Sequence, residues 1–333
     1  TPVRRLRSMD RRGRPDPNPT GTMPTARVIL NPTSNAGAAQ RLEEQILVGL
    51  ERRDIEAELV ATTAAREGER LGLEAARARV DLVIAAGGDG TVHEVANGLL
   101  TALSQGIDGP VLGVLPIGTG NDFAKLIGPL GDLERSMDIL VDGDVRRFDA
   151  CVAEWGTRRH WFDNAAGTGI DVEVVRQIFR KRSKAENAVL KYLKAVLKSL
   201  VTYRAIPLRI RMDDVVIERN TMIIVAANGR SVGGGFWVAP EADPCDGLFD
   251  ICVVNELSFF GALPVLARVL RGAHTTHRKV EMYQAEEVEI EALGPDPLFF
   301  QLDGELHEPP NARSLRLRLE SAALPVMAGP EGV

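Results

Sequence analysis

Four short apolar runs, at residues 27–30, 58–61, 82–85 and 111–115, recur at intervals of roughly 25–30 residues, each the length of one strand. The stretches between them are helical in pattern. Residues 38–53 carry Leu42, Ile46 and Leu50 at a spacing of four, residues 66–78 are rich in Ala, Arg and Glu, and residues 91–103 form a third helix. Leu82-Val83-Ile84-Ala85 is apolar on both faces, as a strand covered on both sides must be. Strands alternating with helices at this interval predict a parallel sheet with helices on either face.

Beyond Phe148 the pattern changes. Short apolar runs at 149–155, 160–165, 206–218, 221–227, 248–254, 286–292 and 314–320 alternate with Gly and Asp turns, which predicts antiparallel β structure in a sandwich or barrel. One long helix interrupts it. Ala185, Ala188, Val189, Tyr192, Leu193, Val196, Leu197 and Leu200 make a stripe at helical spacing. The expected class is therefore α/β followed by all-β. Residues 24–147 form the α/β domain, residues 148–313 the sandwich, and the strand near 314–325 is a candidate to return to the first domain.

Composition narrows the partners. A chain of 333 residues that is 44% hydrophobic can build two cores, and its net charge of −6 argues against nucleic acid. Cys151, Cys245 and Cys252 form no CxxC pair, and an odd, sparse count fits a reducing compartment, hence a cytoplasmic location. No apolar run reaches the roughly 18 residues a spanning helix needs. The first 22 residues differ from the rest. Arg4, Arg5, Arg7, Arg11, Arg12 and Arg14 lie among Pro15, Pro17 and Pro19 with no apolar h-region, so residues 1–23 are expected to be a disordered basic extension or a start placed too early, with Met23 the natural beginning, and the alternative is a basic arm that touches anionic lipid.

The chemistry concentrates in three loops, each following a predicted strand of the first domain, where open α/β sheets bind ligands. Gly87-Gly88-Asp89-Gly90-Thr91 precedes the helix at 91–103. Its glycines let backbone N–H groups approach phosphate oxygens, and the helix adds its positive end. A carboxylate at Asp89 would repel phosphate unless Mg²⁺ lies between them or the group handles a proton. Gly118-Thr119-Gly120-Asn121-Asp122 follows the fourth strand and leads into a helix at 122–127, and Asn31-Pro32-Thr33-Ser34-Asn35-Ala36-Gly37 follows the first. Any one could be a simple turn; three in register on one sheet are hard to explain that way. No GxGxxG after a strand, GxxxxGK[ST], HRD or DFG is present. His93-Glu94 begins an HExxH-like stretch, but Asn97 holds the second ligand position. Gly229-Arg230-Ser231-Val232-Gly233 matches GxSxG, but Gly234, Gly235 and Pro240 stand where a nucleophile elbow needs a helix.

Three longer stretches are more specific: Asn31-Pro-Thr-Ser, Gly87-Gly-Asp-Gly-Thr-Val-His-Glu-Val-Ala-Asn-Gly and Leu115-Pro-Ile-Gly-Thr-Gly-Asn-Asp-Phe-Ala. They resemble the catalytic domain of diacylglycerol kinases, a family that includes sphingosine and ceramide kinases and soluble bacterial lipid kinases. Asn164 to Asp171, Asn228-Gly229 and Asp303-Gly304-Glu305 match in the same order, so the resemblance runs from about residue 27 to 325. GGDG alone is shared with NAD kinases and phosphofructokinases; the GTGNDFA stretch points to lipid kinases.

The resemblance implies an α/β nucleotide domain, a β-sandwich domain and an active site in the cleft between them. It implies ATP held by Asn31, Pro32, Thr33, Ser34, Asn35, Thr63, Gly88, Asp89, Gly90, Thr91, Val92, His93, Glu94 and Thr119. It places the general base on the pair Asp303 and Glu305, with Glu305 the residue matched in soluble bacterial enzymes, and keeps Asp89 as a further catalytic candidate. It implies a structural Mg²⁺ on the Asp246 carboxylate and the main-chain carbonyls of Asp243 and Leu248. Read without the family, Asp303-Gly-Glu305 is a hairpin turn and residues 243–248 a β-turn. Two departures stand out. Asn35 replaces the usual Gly, with Ala36, Ala38 and Ala39 offering no cation, and Thr62 and Thr63 sit one residue off the usual spacing.

A lipid alcohol would be reached from the membrane surface. The helix near 185–201 carries Lys184, Lys191, Lys194 and Lys198 on its polar face, preceded by Arg180, Lys181 and Arg182, a pattern for contact with an anionic inner-membrane face or for a solvated surface over a buried stripe. Phe236-Trp237 and Phe259-Phe260 are candidates for an acyl pocket or for core. The resemblance also implies a homodimer. The favoured reading is γ-phosphoryl transfer from ATP to diacylglycerol, giving phosphatidic acid. NAD kinase and a catalytically inactive lipid- or nucleotide-binding regulator are the alternatives.

Overall fold

The computed structural model describes residues 24–128, 130–180 and 188–330. The arginine-rich extension, and Lys181, Arg182, Lys184 and Ala185 of the basic helix, lie outside the described residues, as does the Arg180 side chain. The described chain divides into two compact units, one ending at Phe148 and resuming at Ala322, the other spanning Asp149–Ser321.

Unit one is a parallel sheet. Strands β1 (Thr25–Leu30), β2 (Glu56–Ala61), β3 (Leu82–Gly87) and β4 (Val111–Pro116) lie in the order β2-β1-β3-β4, all parallel. From Ala322 the chain returns to this sheet, and Val326 pairs parallel to Leu112. Every residue of β3 is buried, in keeping with a run that is apolar on both faces. The predicted helix at 38–53 is a 3₁₀ segment at 39–42 followed by α2 (Glu43–Glu51), and a short turn α1 (Ser34–Gly37), in which Asn35 and Ala36 take left-handed φ of 51° and 56°, precedes it. Helices α3 (Glu67–Ala78) and α4 (Asp89–Ser104) follow their strands, and α5 (Ala124–Ile127) is shorter than the expected 122–127. Helix α6 (Leu133–Asp142) was not anticipated. Asp132 caps it by accepting the Arg135 N–H at 2.9 Å, and Met137 and Leu140 enter the core with Ile46, Leu50, Ile84 and Leu115.

Strand β5 (Asp144–Trp155) leads into unit two, which is antiparallel throughout its described ladders. Strands β6 (Arg158–Phe162), β7 (Ala165–Gly169), β8 (Ile206–Met212), β9 (Val215–Ala227), β10 (Phe249–Asn255), β11 (Val280–Ala285), β12 (Glu287–Ala292), β13 (Phe300–Leu302), β14 (Glu305–His307) and β15 (Ser314–Ala328) build it. The long β9 joins its layers: residues 215–221 pair with β8, and residues 223–227 pair with β7 on one side and β10 on the other. Phe162, Phe249, Phe300, Ile251 and Leu317 fill the core. The single run expected at 206–218 is a hairpin that turns at Asp213, which has φ 45°. The single interrupting helix is instead three: α7 (Ile170–Arg180), α8 (Ala188–Thr202) and α9 (Phe259–Val269). Helix α9 is capped by Ser258, which accepts the Gly261 N–H at 3.2 Å, and it absorbs Pro264.

Candidate active site and family

In unit one the strand order places a topological switch point between β1 and β3, since the chain departs from these neighbours toward opposite edges. The loops after β1, β3 and β4 are the three glycine-containing segments. Two of them meet backbone to backbone. The Ile117 and Gly118 N–H groups both donate to the Gly87 carbonyl, at 2.8 and 3.0 Å. A Cβ on Gly118 would lie 2.3 Å from the Gly88 Cα, and one on Gly87 would lie 2.3 Å from Thr91 Oγ1, so these glycines are required by packing. Gly90 differs: its φ is not left-handed and nothing lies within 4 Å of a Cβ built there. The protein itself does not demand glycine at 90, whereas a phosphate seated at the start of α4 would.

Asp89 is the first residue of α4, behind the N-cap Gly88, and its Oδ1 accepts the Phe123 N–H at 3.1 Å. Burial first, and then the neighbouring Asp122 carboxylate, push its carboxyl up to about 6, against the pull of the Phe123 and Asp122 N–H groups and of Lys125. Lys125 Nζ is held 2.6 Å from Asp122 Oδ1. The Thr91 hydroxyl and Asn121 Oδ1 are buried without a hydrogen-bond partner. The Asn121 amide group is oriented by donation to the Gly118 carbonyl at 3.0 Å. A donor hydroxyl, a free amide oxygen and a carboxylate resisting ionisation make a donor set that fits a phosphate with a divalent cation.

The other nucleotide candidates are placed differently. Asn31 Oδ1 accepts both the N–H and the hydroxyl of Thr33, at 3.0 and 2.8 Å, shaping the loop from within. Asn35, exposed, occupies a left-handed position that glycine fills without strain and asparagine tolerates. Thr63 gives its N–H and hydroxyl to Glu67 Oε2, at 2.6 and 2.8 Å, and these bonds hold the Glu67 carboxyl down at about 2; Thr62 is buried beside it. Thr119 is exposed, while Val92 and His93 are buried in the packing of α4. The structure takes Glu94 away from the glycine loop: its two oxygens accept the Arg66 and Gly68 N–H groups, at 3.0 and 2.9 Å, and so tie down the start of α3. Asn97 donates to the His93 carbonyl within the helix, at 2.9 Å.

In unit two Asp303 and Gly304, with φ of 47° and 82°, form the two-residue turn between β13 and β14. The Asp303 carboxylate accepts three backbone N–H groups, those of Asp163, Asn164 and Ala165, at 2.7, 3.0 and 2.8 Å. Three of its roughly four lone-pair sites hold that loop. Glu305, half-buried, opens β14 opposite Leu302. Asn228 steadies the same region, donating to the Asp149 and Asp163 carbonyls at 3.2 Å each. The loop at 243–248 is anchored by Asp149, a buried residue the sequence reading passed over, whose Oδ2 accepts the Gly247 N–H at 2.7 Å. Asp243 Oδ1 accepts the Cys245 N–H at 3.0 Å, and the exposed Asp246 accepts the Leu248 N–H at 2.9 Å. Behind them Asp250 is pushed up to about 6, chiefly by burial, with Asp246 and Glu241 adding to it, and its Oδ2 has no hydrogen-bond partner. No helix follows Ser231 before Phe236, whose backbone bridges to Val232, so the GxSxG segment is not a nucleophile elbow.

Residues 25–153 match the diacylglycerol kinase catalytic domain, and residues 164–328 match the YegS C-terminal NAD kinase beta sandwich-like domain. A diacylglycerol kinase of Bacillus subtilis (strain 168) is 31% identical over 284 residues, covering 85% of this chain and 90% of its own. The chain belongs to the diacylglycerol kinase family. A diacylglycerol kinase of Staphylococcus epidermidis (strain ATCC 12228 / FDA PCI 1200) is 29% identical over 84% of this chain and 85% of its own. A crystal structure of a diacylglycerol kinase from Bacillus anthracis str. Sterne superposes with a TM-score of 0.69 at 20% identity, covering 93% of this chain and 98% of that one. Another from that organism reaches 0.74 at 22% identity. Both share the fold.

Family membership makes the protein a lipid kinase, a phosphotransferase with ATP as donor and an alcohol as acceptor. Unit two holds a feature suited to such an acceptor. A cavity of about 110 Å³ lies among Val174 of α7, Tyr192 and Val196 of α8, Met222 of β9, Val265 of α9, and Phe236 in the segment after β9. Engineered apolar cavities near 150 Å³ take up apolar molecules of benzene size. The stripe of α8 thus faces inward, and Phe236 lines the cavity, whereas Phe260 is 80% exposed. Among the described residues no helix is long and apolar enough to cross a membrane.

Proposed function

We propose that the protein transfers the γ-phosphoryl group of ATP to the free hydroxyl of diacylglycerol, giving phosphatidic acid. The observation that carries the aliphatic part of this reading is the apolar cavity beneath α8. A sugar or nucleotide acceptor would gain nothing from such walls, whereas an acyl chain gains about 0.8 kcal/mol per buried methylene.

ATP is held by the loops of unit one: the main chain of Gly88 to Val92, with the Thr91 hydroxyl, Thr119, the loop Asn31 to Asn35 and Thr63. Glu305 accepts the proton of the lipid hydroxyl as its oxygen attacks the γ-phosphorus and ADP departs. Three backbone donors already occupy Asp303, which supports the assignment to Glu305 and makes Asp303 the anchor of its turn. Mg²⁺, when bound, offsets the charge of the transferring phosphoryl group, and Asp89 is the carboxylate assigned to it. A structural Mg²⁺ on Asp246 and the carbonyls of Asp243 and Leu248 has an all-oxygen donor set, and its charge would favour the ionised form of Asp250.

In the same reading the enzyme works at an anionic membrane surface in the cytoplasm. Helix α8 has no acidic residue and carries Lys191, Lys194 and Lys198, of which Lys194 and Lys198 are exposed. Assembly as a homodimer belongs to it as well, and sedimentation measures that directly. The deciding experiment is label transfer from γ-radiolabelled ATP to a mixed-micelle panel of diacylglycerol, phosphatidylglycerol, ceramide, a sphingoid base and a polyprenol. Labelled phosphatidic acid is expected. Label confined to another lipid would reassign the acceptor, and label on NAD alone would overturn the reading.

A further inference from the structure

Gln301 is a polar residue inside a buried apolar strand. It is 4% exposed, between Phe300 and Leu302, and lies opposite Gly167 of β7. Both ends of its amide are engaged. Nε2 donates to Asp171 Oδ2 at 2.8 Å, and Oε1 accepts the Gly304 N–H at 2.6 Å. Asp171, 3% exposed, also accepts the Tyr192 hydroxyl at 2.7 Å, and both residues line the apolar cavity. The bridge needs the glycine opposite it. A Cβ at Gly167 would lie 2.2 Å from Asp171 Oδ2 and 2.9 Å from Gln301 Nε2.

The chain Tyr192–Asp171–Gln301–Gly304 therefore runs from α8 and the cavity wall to the turn that carries Glu305. The Gly304 N–H fixes which end of the amide faces the turn, because it can only donate, so Oε1 meets it and Nε2 is left for Asp171. Asp303 pins the first residue of the turn to the 163–165 loop, and Gln301 pins the second. With both held, the direction in which β14 presents Glu305 is set.

We infer that Gln301 is a positioning residue for Glu305, coupling the wall of the lipid cavity to the catalytic turn. This rests on Glu305 being the base of a lipid kinase. A base displaced by a fraction of an ångström to 1 Å loses up to about a hundredfold in rate while leaving binding intact.

The test is steady-state kinetics of Gln301→Met, which keeps shape and removes both bonds, beside Gln301→Asn, too short to make both and safer for folding. Each is assayed with the lipid alcohol that the wild-type protein labels, and again in a Glu305→Ala background. The expected result is a kcat lowered about tenfold to a hundredfold, with KM for ATP and lipid within about twofold. In the Glu305→Ala background the same substitutions change the residual turnover no further, and hydrogen exchange of the Gly304 amide is faster in both backgrounds. A variant that keeps wild-type kcat overturns the proposal. So does a loss of full size in the Glu305→Ala background, which would mean that Gln301 acts on the fold and not through the base. A wild-type protein that labels no lipid alcohol removes the base role itself, a failure of the broader reading that is distinct from both.

Discussion

Two aspartates beside glycines, Asp89 and Asp303, stand in segments of similar sequence and differ in how many backbone donors hold them. Asp303 accepts three backbone N–H groups at 2.7–3.0 Å. Asp89 sits by Asp122 and is pushed up to about 6, burial and the like charge outweighing the N–H groups that favour its ionised form. The first is a carboxylate satisfied by the fold. The second is a carboxylate the fold holds at a disadvantage, as groups reserved for a ligand often are. A motif alone does not separate these roles; the count of donors does.

The largest effects should fall on the hairpin and divide by residue. Glu305→Ala is expected to reduce turnover by about 10²–10⁴-fold with the melting temperature almost unchanged, since only the base is lost. Asp303→Ala should reduce activity and also stability, because three part-buried N–H groups lose their acceptor, at up to about 1–3 kcal/mol each where water does not replace it. Circular dichroism melts beside the kinetics check both. If Glu305→Ala turns over near the wild-type rate, the base lies elsewhere.

Asp89→Asn should show the reverse pairing: activity down by about a hundredfold, stability up. The sign follows from linkage. A carboxyl raised in the folded state binds more protons folded than unfolded, so its contribution is fully present below the unfolded value of 3.8 and is lost as pH rises through about 6. Asn keeps the bond from the Phe123 N–H without the charge. The variant should therefore melt higher than the wild type at pH near 8 and gain little at pH near 4. Equal melts at both would mean that Asp89 is not held at a disadvantage.

A smaller effect should follow from Asp122→Asn, which removes the like charge and leaves Lys125 to act on Asp89 alone. With Asp89 required ionised, kcat/KM falls as pH drops through about 6 in the wild type, and this limb should move to lower pH in the variant. A limb that stays in place would assign it to another group.

The same contrast explains what could be read before the fold was known. The parallel sheet was legible because β1, β3 and β4 are apolar runs ending in loops whose residues have few other uses. Helix α6 was missed although Asp132 capping a turn with Met137 and Leu140 at helical spacing was there to find. Helix α7 was harder: Ile170, Val172, Val174 and Val175 are β-branched and read as strand, and packing decides otherwise. The residues alone did not tell Asp303 from Glu305, and only the resemblance favoured Glu305, since the three donors to Asp303 come from residues about 140 positions away. Gln301 left a signal, a polar residue at a buried strand position, and such a residue needs two partners that only the fold can name.

The smallest effect is expected at Gly90, and it discriminates most finely when set beside Gly118, a glycine within 30 residues of it. Gly118→Ala should disrupt the fold, since its Cβ would lie 2.3 Å from the Gly88 Cα and neither backbone can move away cheaply. Gly90→Ala has nothing within 4 Å to meet and no left-handed φ to strain, so its melting temperature should match the wild type. If glycine stands at 90 only to let a phosphate approach the main chain, the methyl group occupies the place of the ligand, and KM for ATP should rise about tenfold, near the 1–2 kcal/mol of one weakened contact. A KM that does not change would leave Gly90 without a ligand to explain it and would move the phosphate site toward Thr119 and the Asn31 loop.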